Sequence, residues 1–507
     1  MPKGSTINLA NLARLADLAR LTQLGIALYL GASVAYLFLG QVNGDEGWYL
    51  YTSKLIAQGA LPFRDLAYTQ MPLFAYVYGV APIVQPSMYL GRLTSILISL
   101  GTLLISIAVA RRYAGARAGG IAAWLCAAFT FGVYFNSIVK TYALVSFFFV
   151  ATLFILSSNL RAKYPLAILF ALASVMVRIT ALAFLAPILV YVWIAASNWR
   201  TRALILLECG ATILLAGFFL LPDWQAARWG LFDSHLRHWA GAGISTQINY
   251  ILSQRLTDIV QNFGLVLALF IAAIYFVSHT QGLARVLREH LAIWIVVLGL
   301  GLFAIAHLPN GLWSVEYLVP AMTAFLPIVA IALARIYDAQ ESQTRVLLQG
   351  ILLGVLVLLP LTESIRHIDI TGRRLPLAEV DEVAAFIARN SQPTDQVLAL
   401  EALSAVVNAN RSTLPGLTLA QFSAQLMDTP TAQRFHVVNA AMLADAVSQK
   451  QAKVIVLTER DFGLLDSMDA ASTNALRRAL EQYYDLAMTM PLFGQYARPA
   501  YVYLLRP

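Results

Sequence analysis

Apolar runs long enough to cross a bilayer recur over roughly the first two-thirds of this chain, and that repetition leaves few folds open. Inside hydrocarbon every backbone N–H and C=O must be satisfied within the protein, so each run reads as a helix. The first covers Gln23–Val42. Further candidate spans are Met88–Ala110, Ala118–Phe135, Tyr142–Ser158, Pro165–Val177, Ala181–Ala196 and Ala203–Leu221. The last four are Phe263–Ser278, Leu291–His307, Tyr317–Arg335 and Val346–Leu361. That makes about eleven spans. Only 12% of the 507 residues are charged, against about 25% in soluble domains, and the mean hydropathy is +0.68.

The net charge of +8 would suit nucleic acid if it formed one patch, but the basic residues recur in short clusters between apolar runs. With the N-terminus inside, the cytoplasmic turns hold Arg111, Arg112 and Arg117; Arg161 and Lys163; Arg200 and Arg202; Arg285 and Arg288; and Arg335 and Arg345. This is the positive-inside pattern. An odd number of spans then puts the tail outside, beside the loop after the first span. Cys126 and Cys209 both fall inside apolar runs, which argues against a disulfide framework or a zinc site. No small-residue cleavage site follows the first run, which reads as an uncleaved signal-anchor in a plasma (inner) membrane protein. Residues 1–22 carry Leu at three-residue spacing from Leu9 to Leu21 and read either as a cytoplasmic amphipathic helix or as an extension of the first span.

The first external loop, residues 43–87, is the most informative part of the chain. It opens with Asp45 and Glu46 between Gly44 and Gly47. A helix-length run comes next, with Trp48, Tyr51, Leu55 and Ile56 on one side and Thr52, Ser53 and Lys54 on the other, as in a helix lying in the membrane interface. Taken alone, the two acids could be a solvated pair that marks the outside of the membrane. A second external segment, 222–262, holds Trp224, Trp229 and Trp239 and reads as interfacial helices or as a linker with aromatic anchors. Its His235 and His238 lack a third ligand and read as surface histidines.

From about His367 the apolar residues become periodic. Glu379–Asn390 and Ser472–Tyr484 read as helices, Gln396–Leu400 and Lys453–Thr458 as buried strands, and Leu486–Leu492 with Ala500–Leu505 as a hairpin. The fold expected is an all-α polytopic membrane domain, 23–363, and then a small α/β extracytoplasmic domain, 364–507.

Cations on the external side break the positive-inside pattern and therefore need an anionic partner. Arg64, Arg92, Lys140 and Arg178 are such cations. A lipid phosphate would serve, and so would Asp45, Glu46 and Asp65.

The pattern D-E-G-x-Y, then Q-G-x-x-P-F-R-D, then M-P-L-F-x-Y, resembles the first external loop of the GT-C glycosyltransferases. These polytopic enzymes include the protein O-mannosyltransferases and the aminoarabinose transferases. G-R-L-T-S around Arg92, V-K-T-Y-A-L-V around Lys140 and V-R-I-T-A-L-A-F-L-A-P around Arg178 extend the likeness. W-S-V-E-Y-L-V-P-A resembles the family's entry to a late helix, except that Glu316 stands where many relatives have a basic residue or His.

The resemblance implies an inverting hexosyl- or pentosyltransferase. Such an enzyme moves a monosaccharide from a polyprenyl-phosphate donor to a hydroxyl of a lipid, glycan or protein. It implies Asp45 as base, with Glu46 orienting the acceptor or Asp45. It implies Arg64, Arg92, Lys140, Arg178 and His307 at the donor phosphate. Tyr49, Asp65, Tyr68, Gln70, Glu316 and Tyr317 are then candidates to line the sugar or acceptor. No cofactor is expected, and no metal site is assigned, because cationic side chains can stabilise a single departing phosphate. A polymerase or ligase of lipid-pyrophosphate oligosaccharides would instead use the segment from Arg228 to His238. A lipid or solute transporter would show charged span centres and internal repeats, whereas Glu208 is the exception among uncharged centres here.

Overall fold

The computed structural model describes residues 9–236, 244–281, 283–309, 311, 313–339 and 375–507. Helix α1 runs unbroken over Leu9–Leu39, so residues 9–22 continue the helix of the first span. Helix α2 covers Gly44–Ala57 in the first external loop. Helix α3, Met88–Ala128, holds the expected span Met88–Ala110 and the first part of Ala118–Phe135, joined at Ala114 and Gly115; Phe129 breaks the second of these spans. Gly115 has φ +75°, the left-handed region that only glycine enters without strain, and this lets the chain turn between the two halves.

Helices α4, Thr130–Ser137, and α5, Thr141–Leu156, form a bent pair at 113°. No Pro or Gly makes this bend; side chains from other elements hold it. Ser95 Oγ donates to Ile138 O at 2.8 Å and Ser99 Oγ to Asn136 O at 2.6 Å, while Glu46 Oε2 accepts from Val139 N at 3.1 Å. Irregular backbone at membrane depth is stable only when its polar groups are satisfied in this way.

The bundle continues with α6, Lys163–Val177, α7, Leu182–Ala195, and α8, Trp199–Leu220. Then come α9, Leu256–Gln281, α10, Leu291–His307, and α11, Val319–Ala339. Among the described residues five helices are long and apolar enough to cross a membrane alone, and the bent pair makes a sixth. Shorter apolar helices supply further candidates. This is the architecture of a multi-pass membrane protein, although about eleven full-length spans are not reached among the described residues. The expected span Val346–Leu361, the boundary at 363/364, His238 and Trp239 lie outside them. The second external segment is helical on either side of 237–243, in short pieces such as Trp224–Arg228 and Ile244–Tyr250.

The C-terminal region opens with helix α12, Pro376–Asn390. Strand β1, Gln396–Ala399, helix α13, Leu403–Asn408, and strand β2, Ser412–Thr413, come next. After β3, Val454–Thr458, comes helix α14, Ala470–Tyr483, and then the hairpin of β4, Tyr484–Phe493, with β5, Arg498–Leu505. The sheet order is β2-β1-β3-β5-β4, parallel among β1, β2 and β3 and antiparallel at β5 and β4.

Alternate residues of the central strands serve two cores, as the period-2 geometry of a strand requires. Val397, Ala399, Val454 and Val456 join the core that continues into the membrane helices. Leu398, Leu400, Ile455 and Leu457 face a separate core closed by residues such as Leu476 and Leu480 of α14.

The sequence reading of α2 needs one correction. Thr52 and Ser53, expected on an exposed polar side, are fully buried. Their hydroxyls satisfy themselves on Trp48 O at 2.7 Å and Tyr49 O at 2.6 Å. The helix is wedged between the bundle and the C-terminal domain, which cover most of it and leave only Asp45, Lys54, Leu55 and Ala57 partly accessible.

Candidate active site

The site is organised by the first turn of α2. Asn43 is extended at the N-cap, accepts from Asp45 N at 3.1 Å, and donates its own N–H to Glu46 Oε1 at 3.0 Å. This reciprocal capping fixes both acids on a defined turn. Successive helical residues are rotated by about 100°, so the two carboxylates leave in different directions.

Glu46 turns inward to Arg92, and both side chains are wholly buried. Arg92 Nε donates to Oε2 at 2.8 Å and Nη2 to Oε1 at 2.6 Å. Its remaining donors cap the C-terminal end of α1 and the two residues beyond it: Nη1 reaches Tyr36 O at 3.1 Å and Gly40 O at 3.2 Å, and Nη2 reaches Gln41 O at 2.9 Å. The guanidinium thus satisfies the Gly40 carbonyl and adds a second donor to Tyr36 O and Gln41 O, which also accept from Gly40 N and the Tyr134 hydroxyl. Where a donor phosphate is expected at Arg92, the structure places Glu46. The donors of Arg92 are taken by Glu46 and by backbone, and none faces an opening.

Asp45 turns to the other side. Its carboxylate is one-quarter accessible, with Oδ2 2.9 Å from Lys140 Nζ and Oδ1 3.4 Å from Trp48 Nε1. Lys140, 2% accessible, stands in extended conformation at the α4–α5 break and also pairs with Glu316. Glu316 therefore takes a definite place, sharing the ammonium with Asp45, and the Tyr142 hydroxyl donates to it at 3.4 Å.

Arg178 is buried close by. Its guanidinium lies 4.7 Å from the centre of the Tyr317 ring and 5.5 Å from that of Tyr142, and Nη1 donates to Thr141 Oγ1 at 3.3 Å. Among the described residues no carboxylate lies within ion-pair distance of it, in contrast to Lys140. The hydroxyls of Tyr49 and Tyr317 both lie in the field of Asp45, Lys140 and Arg178. His307 packs behind, fully buried. Its Nδ1 donates to Phe303 O at 2.8 Å, which leaves Nε2 to accept from Thr180 Oγ1 at 3.1 Å.

Helix starts add to the electrostatics. Lys140 precedes α5, and Arg178 precedes the 3-10 turn Ile179–Ala181 that leads into α7. Neither start has a side-chain cap, so each presents free N–H groups and the positive end of its dipole. Two cations at two uncapped helix starts form a ready anion cradle. Among the described residues no three His, Cys, Asp or Glu side chains gather as metal ligands.

Other expected residues lie apart. Arg64 and Asp65 form an exposed pair at 2.8 Å on their own loop, so the Arg64 guanidinium is spent there. Asp65 also accepts from Leu61 N at 2.8 Å, which fixes the loop. Tyr68 is buried against Trp48 and Phe63, and Gln70 is half-buried. Arg228 pairs with Asp233 at 3.3 Å on an exposed surface, and His235 offers its carbonyl to Gly311 N. Thr141, Tyr142 and Thr180 stand in the site without having been singled out by sequence; their only signal there is adjacency to Lys140 and Arg178.

No family model and no curated sequence matches the chain. Solved structures do. ArnT from Cupriavidus metallidurans bound to undecaprenyl phosphate superposes with a TM-score of 0.60 at 13% identity, covering 94% of this chain and 97% of that one. The same protein in the apo state gives 0.55 over the same shares. The Archaeoglobus fulgidus oligosaccharyltransferase in complex with Zn and sulfate gives 0.48 at 14% identity, over 90% and 71%. Identities this low report architecture alone, and over nearly its whole length this chain has the fold of ArnT.

Proposed function

We propose that this protein is an integral membrane glycosyltransferase that moves a monosaccharide from a polyprenyl-phosphate donor to an acceptor hydroxyl on the extracytoplasmic side, with inversion. The observation that carries the reading is the partly accessible Asp45 carboxylate held by Lys140, next to an Arg178 that has no carboxylate of its own among the described residues. The fold agrees with it, since ArnT in that fold was solved with undecaprenyl phosphate bound.

Asp45 takes the proton of the attacking hydroxyl as its oxygen bonds to the anomeric carbon. The bond from that carbon to the donor phosphate oxygen breaks, and the phosphate leaves with the electron pair as polyprenyl phosphate. Arg178, Lys140 and the free N–H groups starting α5 and the Ile179–Ala181 turn receive the charge that develops there. Lys140 links the two halves of the reaction, because the same ammonium orients the base and lies beside the leaving group. Glu316 shares Lys140 and offers a second carboxylate to the sugar or acceptor hydroxyls, with Tyr49 and Tyr317 lining the same space. Glu46 acts one step removed, holding the turn that carries Asp45. His307 orients Thr180 at the start of the Arg178 helix.

Binding of undecaprenyl phosphate to the purified protein tests the cradle. A charge-assisted hydrogen bond is worth about 1.5–3 kcal/mol, so Arg178→Ala should weaken binding about tenfold to a hundredfold. Arg64→Ala should leave it unchanged. Equal effects of the two variants would refute the assignment.

A further inference from the structure

We infer that the C-terminal domain is a positioning element for Asp45, acting through Gln495 in the β4–β5 turn; this rests on the reading of Asp45 as the base. One stripe of α2, residues 44, 47, 51 and 54, lies against that domain at helical spacing. At its start, Gly44 N donates to Gln495 Oε1 at 2.9 Å. That N–H is one of the donors a helix start leaves without an internal partner. Asn43 satisfies the next one, on Asp45, so the turn bearing the acid is held from both its own chain and a residue 451 positions away.

One turn on, the helix touches backbone. A Cβ at Gly47 would sit 2.6 Å from Ser404 N at the start of α13, so any side chain there would push the two elements apart. Tyr51 then accepts from Thr413 N at 2.9 Å, and Lys54 donates to Asn410 Oδ1 at 2.7 Å. The same domain holds the start of α3, where Asn408 Oδ1 accepts from Met88 N at 2.9 Å. The two helices whose side chains meet as Glu46 and Arg92 are therefore gripped by one body.

The turn that carries Gln495 is itself built to hold position. Gly494 has φ +69°, and a Cβ there would meet Glu401 Oε1 at 2.8 Å. The Arg460 guanidinium lies 3.6 Å from the centre of the Tyr496 ring. A soluble domain that only shielded the active face would not need backbone contact with the helix that carries the base. At the first turn of α2, reach and aim are set by the Gln495 hydrogen bond and the close approach at Gly47. Misplacing a catalytic group by an ångström can cost about a hundredfold in rate.

The test uses the full-length protein in detergent. Hydrogen–deuterium exchange over residues 44–50 is measured with turnover and donor KM for a radiolabelled undecaprenyl-phosphate sugar, and with undecaprenyl phosphate affinity. Gln495→Ala should raise exchange in the first turn of α2 and lower kcat about tenfold or more, with donor KM and undecaprenyl phosphate affinity unchanged. Gln495→Glu keeps the acceptor oxygen and should restore both exchange and most of the turnover. Gly47→Ala should reproduce the Gln495→Ala pattern by a different route. Unchanged kcat in Gln495→Ala and Gly47→Ala overturns the inference, and so does a loss that appears in donor affinity instead. Asp45→Asn, run in parallel, separates the two readings. If it transfers sugar normally while Gln495→Ala does not, the base assignment falls and the brace on α2 stands.

Discussion

Replacing Arg92 with methionine asks whether its guanidinium holds the fold or the donor. The substitution keeps an unbranched stem and removes the guanidinium. It leaves Glu46 buried without its ion-pair partner and strips the donor from the Gly40 carbonyl, whereas Tyr36 O keeps Gly40 N and Gln41 O keeps the Tyr134 hydroxyl. Removing one member of a buried ion pair costs about 3–5 kcal/mol. The stranded Gly40 carbonyl adds about 1 kcal/mol or more, not strictly additively. Against a total stability of about 5–15 kcal/mol, that is a folding defect.

The assay is thermal unfolding in one detergent, read with size-exclusion recovery. Arg92→Met should unfold at a clearly lower temperature with poor recovery. The double variant Glu46→Gln/Arg92→Met should recover part of the loss, because no stranded charge remains. An Arg92→Met protein with wild-type unfolding that has lost undecaprenyl phosphate binding would refute the structural role and return Arg92 to the donor site.

Other outcomes rest on the same geometry. Lys140→Met removes the ammonium shared by Asp45 and Glu316 and should lower kcat about a hundredfold or more, whereas Lys140→Arg should keep a measurable fraction; steady-state transfer kinetics decide. In the C-terminal domain, burial raises the Asp461 carboxyl from its ordinary 3.8 to about 7, and Glu401 beside it is raised by burial as well. A carboxyl raised on folding favours the protonated folded state, so its stabilising effect is full below pH 3.8 and lost as pH rises through about 7. Resistance of this domain to proteolysis should therefore fall between pH 5 and 8, by a free energy on the order of 2 kcal/mol, and Asp461→Asn should flatten the dependence.

Much of this site was legible because the membrane sorts charge. Cations at span ends expected to be external stand out against the positive-inside pattern, and this is what singles out Lys140 and Arg178 as candidates. The same signal could not separate Arg92 from them, since it reports a cation and not whether its partner is a phosphate or Glu46. The periodic tail shows two of its helices, its two central strands and its closing hairpin, because alternation and helical spacing are local properties, while short pieces such as α13 and β2 carry too few residues to show a period. The α4–α5 break was hidden, as it contains neither Pro nor Gly and depends on Ser95, Ser99 and Glu46 from distant segments. Thr52 and Ser53 were placed on a polar face because nothing local reveals that another domain covers them. Gln495 carried no signal at all, since a glutamine in a hairpin turn acquires meaning only when that turn reaches Gly44.

The central claim is that Asp45 removes a proton from an acceptor while Lys140 and Arg178 take the phosphate. It is tested most directly with purified wild type and Asp45→Asn, each given radiolabelled polyprenyl-phosphate sugars and a membrane-lipid extract. The account predicts transfer by wild type, loss of transfer by Asp45→Asn, and undecaprenyl phosphate affinity kept in both. Transfer that survives the substitution would contradict it.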